Sequence, residues 1–308
     1  MIIANPIYDT VFKYMMSDSK VAKTFLSAII GEKIVELDFT STEYTLKAEI
    51  DKSQLDRVLE QIIVCRFDFA AKIETENGSY KTVIIELQKA KLATDIMRFR
   101  RYLGAMYQDI ENTSDEQRLK ARQIYCIYLL NYEIDLSDSP IIKVDQKVSD
   151  LTTGEELDKN NEFIESLNHK SWIVQVRQLK EKRRNELENL LSIFDQDNIA
   201  NDKHILNIDD SQFPEEFQLI IRKLREAYES RQVREEMQLE DDFIKELVMK
   251  DEEILLKDEI IEEQGKVLEE NKKTIEEKDK SLAEKDKSLA EKDKEIEELK
   301  RRLEDNQK

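Results

Sequence analysis

Two carboxylates stand inside strand-like apolar runs. A single acid interrupts Thr82-Val83-Ile84-Ile85-Glu86-Leu87-Gln88-Lys89, and eighteen residues upstream Cys65-Arg66-Phe67-Asp68-Phe69-Ala70-Ala71-Lys72-Ile73 carries another. An unpaired carboxylate is costly to bury, so such an acid is neutralised, paired, or engaged with a cation. On a strand Glu86 and Gln88 share a face with Thr82 and Ile84, while Val83, Ile85 and Leu87 point the other way. Lys89 falls opposite to Gln88 unless the strand ends there. Asp68 shares its face with Ala70, whose small side chain leaves space above the sheet. Asn77-Gly78 between the two runs is a hairpin signal that would set the strands side by side. Asp68 and Glu86 can then converge on one hard, oxygen-seeking cation, commonly Mg²⁺ where phosphate is the partner.

The elements that must position these acids are legible on both sides. Pro6 and Asp9 open a short helix with Val11, Phe12, Met15 and Met16 on one face. Asp18 opens a second, which carries Val21, Phe25, Leu26, Ile29 and Ile30 and stops at Gly31. Strands are expected over 34–39 and 44–48, and residues 51–62 are ambiguous between helix and strand. After Lys89 a helix over 94–110 places Ile96, Phe99, Leu103, Met106, Tyr107 and Ile110 on one stripe, with Arg98, Arg100 and Arg101 on the other side. An apolar strand follows over 123–131. Residues 140–178 are expected to add a hairpin at Thr152-Thr153-Gly154, a short helix and a strand over 172–176; helices then cover 180–196 and 214–240.

Composition excludes several chemistries. With His169 and His204 the only histidines, a histidine-metal nuclease site, an HExxH metalloprotease site or a two-histidine metal centre is not expected. The five glycines, at 31, 78, 104, 154 and 265, form neither GxxxxGK nor GxGxxG, so no nucleotide cofactor is expected. Cys65 and Cys126 make no spaced framework and read as reduced core residues. No run of eighteen apolar residues occurs and the N-terminus lacks a signal-like pattern, so the expectation is a cytoplasmic protein without membrane contact. The net charge is −19, which argues against broad electrostatic attraction to nucleic acid; any such contact needs a local basic patch.

From about residue 250 the chain changes character. Ile254, Ile261, Leu268, Ile275, Leu282, Leu289, Ile296 and Leu303 recur every seven residues, and Glu-Lys-Asp-Lys-Ser-Leu-Ala repeats in tandem over 277–290. The second seam position holds Lys257, Gln264, Asn271, Lys278, Lys285 and Lys292, becoming apolar only at Leu299. One long helix is expected. Two readings stay open for it: a weak parallel homodimer through 250–308, or a charge-stabilised single helix with pairs such as Glu284 with Lys287 and Glu291 with Lys294.

Four motifs in order, Asn5-Pro6-Ile7-Tyr8-Asp9-Thr10-Val11-Phe12-Lys13, Phe67-Asp68-Phe69, Glu86-Leu87-Gln88-Lys89 and Asp95-Ile96-Met97-Arg98-Phe99-Arg100-Arg101-Tyr102, give the chain a further character. In these residues it resembles the PD-(D/E)XK nuclease superfamily, and within it the Rpn-like group of recombination-promoting nucleases and transposases. The resemblance covers roughly residues 5–200. It implies an α/β fold with a restriction-endonuclease-like core, a mixed sheet flanked by helices, followed by a helical region and a coiled-coil-like C-terminal helix. The implied domains are a nuclease-like domain over 1–200 with an accessory hairpin and helices, a helical connector over 201–249 and a heptad-repeat tail over 250–308. The implied activity is Mg²⁺-dependent hydrolysis of DNA phosphodiester bonds, with Mn²⁺ as a substitute, in a cytosolic prokaryotic endonuclease of the transposase-associated type.

In that frame Asp68 and Glu86 would be metal ligands, with the Leu87 carbonyl a further one, and Asp9 would be the acid that the first helix lends to the site. The superfamily's usual lysine falls at Gln88, which can orient water but brings no positive charge; Lys89 or Lys13 is the candidate to supply it. Arg98, Arg100 and Arg101, with Lys91 and Lys89, form a local basic patch for DNA phosphates. The contrasting expectation is a catalytically silent nuclease-fold scaffold that binds DNA or partners and oligomerises through its tail. Plainer readings stand beside these: a charge cluster of Asp68 and Glu86 with Arg66, Lys72 or Lys81, Asp9 as a helix cap, Lys13 as surface charge, and the arginines as a solvated helix face. An RNase H-like transposase is disfavoured because no third acid stands out on a downstream helix.

Overall fold

The computed structural model describes residues 1–48, 61–89, 91, 95–108, 123–157, 161, 163–164, 167, 169–180 and 184–305. Of the ambiguous stretch 51–62, residues 51–60 lie outside them, while Gln61 and Ile62 begin a strand; the end of the arginine helix near Ile110 and the side chains of Cys65, Arg66 and Ile96 also lie outside. Among the described residues the order is β1 (Ile2–Ala4), α1 (Asp9–Met16), α2 (Ser19–Ile30), β2 (Ile34–Phe39), β3 (Glu43–Ala48), β4 (Gln61–Arg66), β5 (Phe69–Thr75), β6 (Tyr80–Gln88) and α3 (Asp95–Gln108). Then come β7 (Gln123–Leu130), β8 (Ile141–Val144), β9 (Lys170–Gln175), α4 (Glu186–Leu191), β10 (Ile205–Asn207), α5 (Gln218–Glu229) and α6 (Arg231–Asp305).

A six-stranded mixed sheet, in the order β2-β5-β6-β7-β9-β8, is the frame of the α/β unit. β5 and β6 form the hairpin at Asn77-Gly78, where Gly78 takes φ 76°; a Cβ is unfavourable in that left-handed conformation. β6 then runs parallel to β7, and β7 parallel to β9, so the chain needs a crossover after β6, and α3 is in it. Residues 81–88 are buried along their whole length because both faces of β6 are covered. Val83, Ile85 and Leu87 join the main core with α1, α2 and α5, whereas Ile84 and Ala70 join a second cluster with Phe67, Met106 and Cys126 on the α3 side. The alternation along the strand thus separates two cores. The helical pair follows its signals: Asp18 accepts hydrogen bonds from the Lys20 and Val21 amides, and Gly31 ends α2 at φ 76°.

Several elements differ from expectation. The run Cys65–Ile73 is two strands in different sheets: β4 pairs with β3, β5 with β2 and β6, and the chain turns at Phe67-Asp68. The turn is fixed by tertiary bonds, since the Phe67 amide donates to the Thr42 carbonyl while the fully buried Phe67 ring packs edge-on against Tyr102. The helix expected over 180–196 contracts to α4, capped by Asn185 and followed by 3-10 turns. The helix over 214–240 breaks at Ser230, whose extended backbone (ψ 119°) ends α5. Tyr107 leaves the apolar stripe of α3 for an exposed hydrogen bond with His169. The turn at Thr152-Thr153-Gly154 joins a single antiparallel bridge between Ser149 and Glu156.

Residues 1–248 form one compact unit and 249–308 a second. Of the connector expected over 201–249, residues 201–248 are built into the first unit, because β10 pairs with β1 and α5 packs on β1 and α1. The second unit is the remainder of α6. In it Ile254, Ile261, Leu268, Ile275, Leu282, Leu289 and Ile296 are all exposed, and Glu253–Lys257, Glu262–Lys266 and Glu269–Lys273 make i,i+4 ion pairs. Among the described residues no helix is long and apolar enough to cross a membrane.

Candidate active site

Four acids from distant parts of the sequence, Asp9, Asp68, Glu86 and Glu240, line one small cleft of about 190 Å³, formed where β6 ends. Continuing the β5–β6 register by one residue brings Asp68 opposite Glu86. The bend before β5 turns the Asp68 side chain back toward β6, where its Oδ2 accepts a hydrogen bond from the Leu87 amide at 2.6 Å. Glu86 is 4% exposed, and its Oε1 is buried without a hydrogen-bond partner. Asp9, at the start of α1, accepts on Oδ2 from the Lys13 ammonium at 2.5 Å, while its Oδ1 is likewise buried and unpartnered.

The electrostatics follow from that crowding. Burial, and then the neighbouring Asp9 charge, lift the Asp68 carboxyl to about 7, against the opposing pull of the Leu87 amide, Lys13 and Arg98. Glu86 is pushed well above the carboxylate range, by burial first and by Asp68 next, with Arg98 pulling the other way. Behind Glu86 the environment is apolar and weakly acidic, and burial pushes the Cys126 thiol up to about 12. Two carboxylate oxygens, Glu86 Oε1 and Asp9 Oδ1, are thus buried with no hydrogen bond to satisfy them, a costly arrangement for a merely structural cluster.

The expected companions divide into two groups. Gln88 is in the cleft, buried, with its Oε1 accepting from the Arg98 guanidinium at 2.5 Å. Arg98, half-buried, points from α3 into the cleft rather than into a solvated patch. Lys13 is joined to the site through Asp9. Lys89, although it borders the cleft, is turned away to Asp241 (3.2 Å) and Glu240 (3.4 Å) over the Tyr8 ring, 3.5 Å from its centroid. Arg100, Arg101 and Lys91 are exposed outside the cleft. Of the plainer readings, Lys81 is committed to Glu32 rather than to Glu86, and Asp9 is the first residue of α1, not its cap.

A second set of residues went unnoticed in the sequence. Tyr8 gives α1 no side-chain cap, and the missing acceptor comes from α6: Glu240 takes hydrogen bonds from the Asp9 and Thr10 amides at 3.1 and 3.4 Å. Beside it Asp241 collects Tyr8, Lys89, Lys203 and His204. Although burial works against ionisation, the Lys203, His204 and Lys89 contacts hold the Asp241 carboxyl well below the usual range. Phe243, Ile244, Leu247 and Val248 continue α6 as an apolar wall of the cleft. The acidic-apolar alternation of Glu240-Asp241-Asp242-Phe243-Ile244 was the one available signal.

No group of three His, Cys, Asp or Glu side chains among the described residues is arranged to hold a metal ion as it stands. The donor set nevertheless suits a hard cation: the orphaned Glu86 Oε1 and Asp9 Oδ1 are anionic oxygens beside Asp68, the ligand type such ions select. Comparison of the chain with protein-family models, with curated proteins and with solved structures found no match to any of them.

Proposed function

We propose that the chain is a metal-dependent phosphodiesterase acting on DNA, with a restriction-endonuclease-like core of the Rpn type. The observation that carries this reading is the pair of unpartnered, buried carboxylate oxygens of Glu86 and Asp9 in the cleft that Asp68 also lines. The order helix, hairpin, helix, parallel strand formed by α1, β5–β6, α3 and β7 is in keeping with it.

Asp68 and Glu86 would hold Mg²⁺, with the Leu87 carbonyl as a neutral donor and Asp9 beside them. When bound, the ion supplies Lewis-acid polarisation of a phosphoryl oxygen and a lowered water pKa. The rest belongs to the chain's own groups. Arg98 supplies the positive charge that Gln88 lacks, and it lowers the carboxyl pKa of both acids. With its oxygen engaged by Arg98, Gln88 has its amide N–H groups to donate to an attacking water or a phosphate oxygen. Lys13 orients Asp9 through its ion pair.

Plasmid nicking with Mg²⁺ tests the proposal. Wild type is expected to cut, and Glu86→Gln and Asp68→Asn to be silent. Equal cutting by all three would assign the activity to a contaminant or another site. Arg98→Ala should lose about a hundredfold, the scale of one preorganised charge-stabilising donor. The rival reading, a silent scaffold, draws on Gln88 itself, and calorimetric titration separates the two: a core that takes up neither Mg²⁺ nor Mn²⁺ is a scaffold.

A further inference from the structure

We infer that the site accepts an unpaired DNA strand, with the base next to the reacting phosphate stacked on Phe243; this rests on the phosphodiesterase reading and names the substrate form it takes. The two walls of the cleft are chemically opposite. The α3 wall presents Arg98 and Tyr102, whereas the α6 wall is acidic at Glu240 and then apolar at Phe243, Ile244, Leu247 and Val248. Phe243 is 60% exposed, an aromatic face left open on the apolar wall of the cleft.

A duplex fits these walls poorly. It presents phosphates on both sides and keeps its base faces stacked within the helix, so its second strand would set phosphates against the apolar α6 wall and leave Phe243 uncovered. An unpaired nucleotide matches both walls at once, with the phosphate toward Arg98 and the acids' cation, and the base face toward Phe243. Aromatic stacking of this kind is sequence-tolerant because every base has a π-face.

The test is binding, independent of cutting. Full-length Glu86→Gln protein is titrated by fluorescence anisotropy with a labelled single-stranded oligonucleotide and with its blunt duplex, alone and with Phe243→Ala or Phe243→Tyr added. The single strand is expected to bind more tightly. Phe243→Ala should weaken that binding by about tenfold to a hundredfold, the effect of one lost base-aromatic stack. It should leave the duplex unchanged, and Phe243→Tyr should restore the wild-type level. Equal or tighter binding of the duplex, no binding of either, or an equal loss on both with Phe243→Ala overturns the inference. Nicking by wild type with a duplex preference overturns it while sparing the phosphodiesterase reading; a single-strand preference in a protein that never cuts does the reverse.

Discussion

Asp68→Asn should make the metal-free protein more stable at pH 8 and not at low pH. The unfolded aspartate titrates near 3.8, whereas burial and Asp9 raise the folded group to about 7. A carboxyl whose folded pKa is raised binds more protons folded than unfolded, so stability falls as pH climbs between those values and the full cost stands above about 7. The rise from 3.8 to about 7, at about 1.36 kcal/mol for each tenfold change in acidity, sets a ceiling of about 4 kcal/mol. Asparagine keeps an oxygen for the Leu87 amide, but a neutral acceptor returns about 1 kcal/mol less than a charged one. The net gain expected is about 3 kcal/mol, or about 6–12 °C in melting temperature for a protein of this size. Urea titration in EDTA at pH 4 and pH 8, followed by fluorescence of Trp172 in β9, reads the sheet-bearing unit through its single tryptophan. Added Mg²⁺ should stabilise wild type and close the gap, because only the carboxylate pair offers the ion full charge. A variant less stable than wild type at pH 8, or a difference flat with pH, would refute the claim that Asp68 is a strained, uncompensated acid.

Asp241→Asn should behave in the opposite sense. Because Lys203, His204 and Lys89 depress its pKa against the push of burial, its contribution is present above the ordinary carboxylate range and lost as pH falls through the folded value; the variant should lose about 3 kcal/mol at pH 7 and show a flatter acid limb in urea titrations. Gln88→Lys, which installs the superfamily's usual residue, should lower nicking rather than raise it, since it sets a second cation against Arg98; a gain in rate would show that Arg98 does not stand in for the lysine. For the tail, a peptide spanning 249–308 should sediment as a weak dimer through its exposed heptad seam, and a monomer at roughly tens of micromolar leaves only the single charge-stabilised helix.

What the sequence disclosed tracks how local each signal was. The inward and outward faces of β6, the Asn77-Gly78 hairpin and the Asp18 and Gly31 ends of α2 rest on period-two alternation, turn chemistry and capping, all of which act within a few residues. The pairing of Asp68 with Glu86 followed from them. The bend at Phe67-Asp68 did not, because the chain is apolar on both sides of it and only the Thr42 carbonyl and the Leu87 amide decide where it turns. β1 and β10, three residues each, are too short to show a period. Arg98 has the spacing of a solvated stripe and yet turns inward to Gln88. Glu240 reaches the Asp9 amide from 231 residues away, beyond any window over which a pattern could be read.

These long-range contacts bear on the one residue the motif left unexplained. A lysine at position 88 would carry its own charge into the cleft on the strand that bears Glu86. Glutamine cannot, but its buried amide oxygen fixes a guanidinium arriving from the next helix, so the charge is supplied by a pair of residues instead of one. That division has a structural cost, since the cation now depends on the docking of α3 as well as on β6. It also has a chemical consequence: the charge beside Asp68 and Glu86 rests on a guanidinium, a side chain that proteins do not deprotonate, where a desolvated lysine is readily neutralised. The pH dependence of the site is therefore left to its carboxyls, both raised by burial, Asp68 to about 7 and Glu86 well above the carboxylate range, so the cluster gains charge, and with it demand for a cation, as pH rises.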